Sequence, residues 1–449
     1  MSTKFIGASV PRKKAEQLAA GGGLFTDDVR IPDAAHVAYL RSPYGHARIK
    51  AINLGDATLQ AGVIAAFRSE DLLAVCKPWT TQFVSLPSHR SLPQPPLAHE
   101  RAVWQGQPVV MIVGETRASA EDALAFIDIE WEPLACVSDV DSALEVQAPL
   151  VHAELESNLL FRYSADTGQP DEAFANAEHV ITHDFKFSRH TGVPLEPRSI
   201  VAQFDGTQQL LTVYASTQVP HQMRSILAAQ LNIDESRIRI IVQDVGGGFG
   251  IKLHAYDDEV AVAAAAILLR RPVKFVSDRL EAFVSDVHAR GHKVTASIAV
   301  NGDGKMLGFS TDDRMEAGAF SVYPRASVLE GMRAVTAVGG PYAAPAHSAR
   351  LRIAFQNKPP VGSYRGVGQP IACAVTEILV DAAARRIGMD PAQFRRINYR
   401  SAAELGTRTP GGLETGGELS FTQCLDKLLD LMSYSDLRSF QQQAREEQR

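Results

Sequence analysis

The residues best suited to chemistry lie in three short runs where an apolar segment gives way to glycines or small polar side chains. Gly246-Gly-Gly-Phe-Gly250 stands between the apolar run 238–242 and an alanine-rich run that begins at Asp257. At a strand-to-helix junction, backbone amides with no side chain in the way can face a ligand, and the helix dipole favours an anion. The cluster does not spell G-x-G-x-x-G, because position 251 is Ile, nor G-x-x-x-x-G-K-[ST], because Leu253 follows Lys252. Alone, it is equally a tight turn. Ser216-Thr217-Gln218 ends a second apolar run, 210–214, and Val361-Gly-Ser-Tyr-Arg-Gly-Val-Gly368 follows a third, 351–355. Three strand-end loops of this kind can converge on one ligand at a crevice.

Other candidates weigh less. His288 and His292 have an i, i+4 metal-like spacing, but Gly291 and a following strand break the helix that spacing needs. Asp257-Asp258-Glu259 reads as acidic residues in a helix's first turn, favoured by its dipole. No G-x-S-x-G elbow and no H-E-x-x-H is present. The four cysteines, Cys76, Cys136, Cys373 and Cys424, are scattered without a C-x-x-C pair, which argues against an iron–sulfur cluster and favours plain buried hydrophobes.

The elements that would position these loops follow from pattern. Strands are predicted at 36–41, 109–113, 127–131, 210–214, 238–242 and 273–276. A hairpin joins 292–300 to 306–309 through Asn301-Gly-Asp-Gly304. Helices are predicted from the N-cap Thr116 to about 127, and over 220–231, 257–269 and 370–387. The helix over 257–269 turns Val260, Ala263, Ala264, Ile267 and Leu268 to one buried face. The last helix does so with Ile371, Val375, Ile378, Leu379 and Ala382. The stretch 77–100, rich in Pro, Ser and His, reads as a long surface loop. This divides the chain into an extension 1–20, a small α/β domain 21–133, a linker 134–170 and a larger α/β domain 171–449.

Composition sets the class. With 449 residues, 45% of them hydrophobic and 21% charged, the chain can bury several domains' worth of core. Its 45 basic against 51 acidic residues leave −6, unsuited to nucleic acid. No apolar run approaches the roughly 18–20 residues of a membrane span, and the start does not read as a signal peptide. A soluble, cytoplasmic protein is expected.

The order S-T-Q, G-G-G-F-G-x-K, Y-R-G-x-G, with Leu40-Arg-Ser-Pro-Tyr-Gly-His-Ala47 and Glu196-Pro-Arg198, resembles one family closely. It is that of the molybdenum-binding large subunits of the xanthine dehydrogenases and aldehyde oxidases, and the resemblance covers 21–399. The fold it implies is mixed, α+β and α/β: a hammerhead-type α/β domain followed by the first molybdopterin-binding domain. By the same resemblance, the Gln218 amide hydrogen-bonds an oxygen ligand of molybdenum. Gly248, Phe249 and Gly250 form the loop whose backbone lies beside the metal and its pterin dithiolene, and Arg365 with Gly366 approaches from another side. No protein residue ligates the metal directly, because the pterin brings the sulfur ligands. The implied cofactor is molybdopterin, in the cytosine dinucleotide form of bacterial relatives, with [2Fe-2S] and FAD carried by an iron–sulfur subunit and an FAD subunit.

Departures from the family narrow the substrate. Arg333 lies upstream of Arg365 at the separation at which purine oxidisers place a substrate-orienting arginine; the alternative is an ordinary surface arginine. Leu253 stands where those enzymes carry a glutamate, and Val367 where they carry a stacking phenylalanine, which argues against xanthine. Gly366 replaces the cysteine of the copper-containing carbon monoxide dehydrogenases. The family's general base, a glutamate in a Gly-Glu-x-Pro motif, has no counterpart: Val113-Gly-Glu115-Thr belongs to the first domain, and Gly417-Glu418-Leu-Ser lies in a glycine-rich loop. The expectation is a half-subunit completed by a second molybdopterin-binding chain that carries this base. It would hydroxylate an aldehyde or N-heteroaromatic carbon; the alternative is a non-catalytic cofactor-binding or assembly subunit.

Overall fold

The computed structural model describes residues 7–81, 86, 88–409, 411–414, 416–417 and 419–447. Glu418 and part of the 77–100 stretch lie outside the described residues. The chain forms two compact units that exchange segments: 1–80, 92–135 and 191–287 in the first, and 81–91, 136–190 and 288–449 in the second.

The first unit is built on a seven-stranded sheet. Its order is Ile238–Ile241, Leu210–Ala215, Ser199–Asp205, Val273–Val276, Ala35–Arg41, Pro108–Gly114, Val63–Phe67. Pro108–Gly114 is buried at every position, which its unbroken Val-Val-Met-Ile-Val run requires. Thr116 caps Arg117–Ala123 by accepting from the Ser119 N–H, as expected from sequence. A three-stranded sheet of Arg101–Ala102, Ala47–Asn53 and Asp128–Pro133 completes this part. The helix Asp257–Leu269 packs on Ser199–Asp205 and Val273–Val276 and is buried all round from Asp257 to Ala266, not on one face. Small alanines let sheet and loops close on every side of it. Asp257, Asp258 and Glu259 stand in its first turn as expected, and the same enclosure buries all three.

The second unit holds a five-stranded sheet in the order Leu159–Thr167, Ala346–Phe355, Met306–Gly318, His292–Val300, His179–Phe187. The Asn301–Gly304 hairpin is present, and Met306–Gly318 pairs in parallel with Ala346–Phe355. Helix Gln369–Arg386 covers the sheet with Ile371, Ala372, Val375, Leu379, Val380, Ala383 and Ala384. Ile378, expected in that stripe, is exposed.

Three further expectations change. The segment read as a linker carries Leu159–Thr167, an edge strand of the five-stranded sheet. In the stretch read as a surface loop, Trp79, Gln94, Leu97 and Ala98 are buried and Trp79 bridges Gln94, because the apolar side chains anchor it. Cys136, Cys373 and Cys424 are exposed, and only Cys76 is buried, its thiol pushed up to about 11 by burial.

Candidate functional site

In the first unit, the sheet delivers two strand ends to one place. Leu210–Ala215 and Ile238–Ile241 are parallel neighbours, so Ser216-Thr217-Gln218 and Gly246–Gly250 leave the sheet on the same side. The Gly250 N–H donates to Gln218 Oε1 at 2.9 Å. A backbone N–H can only donate, so the amide oxygen faces the loop and the Gln218 NH2 group is turned outward as a donor. Gly248 permits this contact: a Cβ there would lie 2.5 Å from both Cδ and Oε1 of Gln218. Gly247 and Gly250 have φ of +103° and +97°, and Phe249, at φ +52°, stands 43% exposed. Leu253, half-buried, ends the short turn Ile251–Leu253 behind the loop. Gln218, Gly248, Phe249, Gly250 and Leu253 are therefore brought together.

What holds this bare loop was not evident from sequence. Glu196 Oε2 accepts from Ser216 Oγ (2.6 Å), from the Gly246 N–H (2.7 Å) and from Lys252 Nζ (2.9 Å). Burial holds the Lys252 ammonium below its usual range, against the opposing pull of Glu196. Behind it, Arg198 is 1% exposed. It clamps Asp258 at 2.6 and 2.9 Å, reaches Asp286 at 2.6 Å and Glu259 at 3.3 Å, and lies 3.7 Å over the Tyr256 ring. Tyr256 OH in turn donates to the Ile251 carbonyl at 2.8 Å. Burial, reinforced by Asp258, pushes the Glu259 carboxyl up to about 8 although Arg198 opposes the shift. Burial would also raise Asp258, but Arg198 and Arg41 overcome it and hold Asp258 low. A usable signal was present: Glu196 and Arg198 directly precede Ser199–Asp205, whose first four residues are buried, so charges there must be paired.

The second unit presents the other loop. Gly366, Val367 and Gly368 all have positive φ, at +95°, +42° and +79°. Arg290 Nη2 donates to the Arg365 carbonyl at 2.9 Å and its other arm pairs with Glu330, whose Oε2 also accepts the Arg290 N–H at 3.1 Å. At Gly368, a Cβ would lie 2.1 Å from the Glu330 carbonyl and 3.1 Å from Arg333 Cβ, so the turn lies directly on helix Val328–Thr336. Arg333, Arg365, Gly366 and Val367 therefore share this turn, with the Arg333 and Arg365 residues exposed. His292 pairs not with His288 but with Asp313, at 2.7 Å, which raises its pKa against the effect of burial.

Among the described residues no group of three His, Cys, Asp or Glu side chains could ligate a metal. A cofactor that brings its own metal ligands suits the first-unit loop, where an amide donor points outward beside glycines that leave room for a close approach. Among the described residues, no helix is long and apolar enough to cross a membrane.

Comparison with known proteins agrees with this geometry. The family model of the molybdopterin cofactor-binding domain matches residues 151–399. That of the aldehyde oxidase and xanthine dehydrogenase a/b hammerhead domain matches 20–135. The nicotine 6-hydroxylase large subunit of Paenarthrobacter nicotinovorans is 33% identical over 98% of this chain and 53% of that protein. The nicotinate dehydrogenase large molybdopterin subunit of Eubacterium barkeri is 28% identical over 93% of this chain and 95% of its own length. Quinoline 2-oxidoreductase of Pseudomonas putida 86 superposes with a TM-score of 0.94 at 31% identity, covering 98% of this chain and 56% of that one. The chain thus spans about half the length of most of the curated relatives it matches.

Proposed function

This chain belongs to the xanthine dehydrogenase and aldehyde oxidase family of molybdenum hydroxylases, and from that premise we propose that it walls one side of a molybdenum–pterin site in a multi-subunit oxidoreductase. Its fold is a hammerhead-type α/β domain followed by a molybdopterin-binding domain, to which we assign 21–133 and 171–449. The observation that carries the reading is the Gln218 amide, fixed through its oxygen by Gly250 so that its nitrogen remains a directed donor. That donor would bind an oxygen ligand of the metal, with the backbone of Gly248, Phe249 and Gly250 alongside. By the family resemblance, Arg365 and Gly366 of the second unit are assigned to cofactor contact, and Leu253, Arg333 and Val367 to substrate contact.

The proposed reaction puts a hydroxyl derived from water on an electron-poor carbon and releases two electrons and two protons. When bound, the pterin-held molybdenum supplies the oxygen-transfer and electron-accepting chemistry. This chain's part is to orient and to exclude water: Gln218 donates toward a developing negative oxygen, and the Arg333 guanidinium offers a positive charge to a ring or carbonyl. The substrate is an aldehyde or an N-heteroaromatic; the names nicotine, nicotinate and quinoline among the relatives favour the latter. The general-base glutamate would come from outside these residues, on a second half-subunit. The match to nearly the full length of the nicotinate dehydrogenase subunit supports that arrangement. Electrons would leave through iron–sulfur and FAD subunits in the cytoplasm, and the pterin would carry a cytosine dinucleotide.

The test is to purify the chain with the subunits that accompany it, measure molybdenum and pterin, and screen N-heteroaromatics and aldehydes. Metal, pterin and turnover are expected. A complex without molybdenum or pterin overturns the proposal, and a loaded complex inert to every such substrate makes the chain a cofactor-carrying assembly subunit instead.

A further inference from the structure

We infer that Glu196 is the positioning residue of the 246–252 loop, an inference that rests on the reading that this loop borders the cofactor. A glycine-rich loop has little side-chain packing to fix it, and its backbone is the costliest to order. Here both ends of the loop and the neighbouring strand end meet one side chain. Through Oε2, Glu196 accepts from the loop's first N–H at Gly246, from Lys252 at its end, and from Ser216, two residues before Gln218. The backbone doubles two of these ties: the Glu196 N–H donates to the Gly246 carbonyl at 3.1 Å, and Lys252 Nζ donates to the Glu196 carbonyl at 2.8 Å.

The approach is close enough to demand glycine, since a Cβ on Gly246 would lie 2.5 Å from Glu196 Cβ. The Lys252 side chain is fully buried and Glu196 is 11% exposed, so the pair is shielded from the screening that makes surface pairs weak. The position of Gln218 depends on Glu196 by two routes. One runs through Ser216. The other runs through Lys252, whose carbonyl accepts from the Gln218 N–H at 3.0 Å and from Thr217 Oγ1 at 3.2 Å. Glu196 touches neither Gln218 nor Phe249 in this network; it acts by fixing the frame on which they stand.

Amide hydrogen exchange on the full chain, purified with its accompanying subunits, reads this directly. Glu196→Gln removes the charge that three donors share, and exchange in peptides covering 246–252 and 216–218 should quicken by roughly 10- to 100-fold. Peptides covering Pro108–Gly114 and Asp257–Leu269 should keep their wild-type rates. Unchanged exchange in the loop overturns the inference, and so does equal acceleration everywhere, which would mark a merely stabilising residue. Should Glu196→Gln not accumulate, Ser216→Ala removes one of the three donors. It must then quicken the same two peptides by about threefold or more, and no change there overturns the inference. Molybdenum measured on the wild-type complex judges the cofactor reading separately, because the exchange result stands with or without metal.

Discussion

Gly248→Ala separates what the cofactor loop does from what stabilises it. The added Cβ would lie 2.5 Å from Cδ and Oε1 of Gln218, where about 3.5 Å is the comfortable carbon contact, so the amide must retreat by roughly 1 Å. The backbone can stay, because Gly248 is not among the residues at positive φ. Retreat breaks the 2.9 Å bond from the Gly250 N–H, a loss of about 1 kcal/mol. Replacing glycine by alanine returns about 0.4–1 kcal/mol through the unfolded chain. The expected stability change is therefore below about 1 kcal/mol, while a donor displaced by 1 Å should lower turnover per bound molybdenum on the order of 100-fold. The assay is thermal unfolding beside turnover normalised to metal content, with a substrate that the wild-type complex oxidises. Wild-type turnover per molybdenum in Gly248→Ala would refute the role given to Gln218. A melting drop as large as that of a core cavity would refute the claim that only the amide moves.

Arg198→Met should destabilise the chain by roughly 3–5 kcal/mol in denaturant unfolding, because it leaves Asp286 buried without its counter-charge and Asp258 with Arg41 alone; a loss under 1 kcal/mol would show that the cluster is solvated. The Glu259 carboxyl titrates at about 8 in the folded state against 4.5 for the free group, so its contribution is fully present below pH 4.5. It is lost as pH rises through 8, at up to about 1.4 kcal/mol per unit. Glu259→Gln should lessen the fall of stability between about pH 5 and 8, the remainder belonging to Asp257, which burial pushes up to about 7, and an unchanged slope would assign the titration to another group. Arg290→Lys keeps a charge beside Glu330 but cannot also reach the Arg365 carbonyl. Exchange in 364–368 should therefore quicken while the unfolding midpoint moves little, and a large loss of stability would contradict this. Arg333→Ala, on an exposed side chain, should change stability by less than about 0.5 kcal/mol yet raise KM, and an unchanged KM would return Arg333 to the ordinary surface.

The loops were legible because their chemistry is local. Gly247, Gly250, Gly366 and Gly368 adopt the positive φ that recurring glycines announce, and Gln218 follows a strand whose apolar run is unmistakable. The capped helix at Thr116 and the Asn301–Gly304 hairpin were legible for the same reason. What supports the loops was hidden, because it joins residues far apart in the chain. Arg198, Asp258 and Asp286 meet only after the sheet and the helix Asp257–Leu269 have formed, and Arg290 meets Arg365 across many intervening residues. A helix that opens with Asp-Asp-Glu suits its own dipole, and only the assembled fold shows that every side of it is covered. Periodicity also failed at Ile378, where a stripe one residue too wide was drawn from spacing alone.

The two glycine-bearing loops are held by the same strategy with the charges reversed. In the first unit the loop exposes N–H groups to its own frame, and a carboxylate accepts them: Gly246 binds Glu196, with Gln218 taking Gly250. In the second unit the loop offers a carbonyl, and a guanidinium donates to it: Arg290 holds Arg365. Each anchor is neutralised by a partner of its own, Lys252 for Glu196 and Glu330 for Arg290, so neither leaves an uncompensated buried charge. Hydrogen bonds to charged groups, at about 1.5–3 kcal/mol each, match the backbone entropy that glycines cost when a loop is ordered. Neutral side chains would fall short, and apolar packing would need the very Cβ atoms that Gly246, Gly248 and Gly368 must lack. Buried ion pairs are thus the means of fixing loops that have to stay bare, and this explains why charge, not packing, stands behind both.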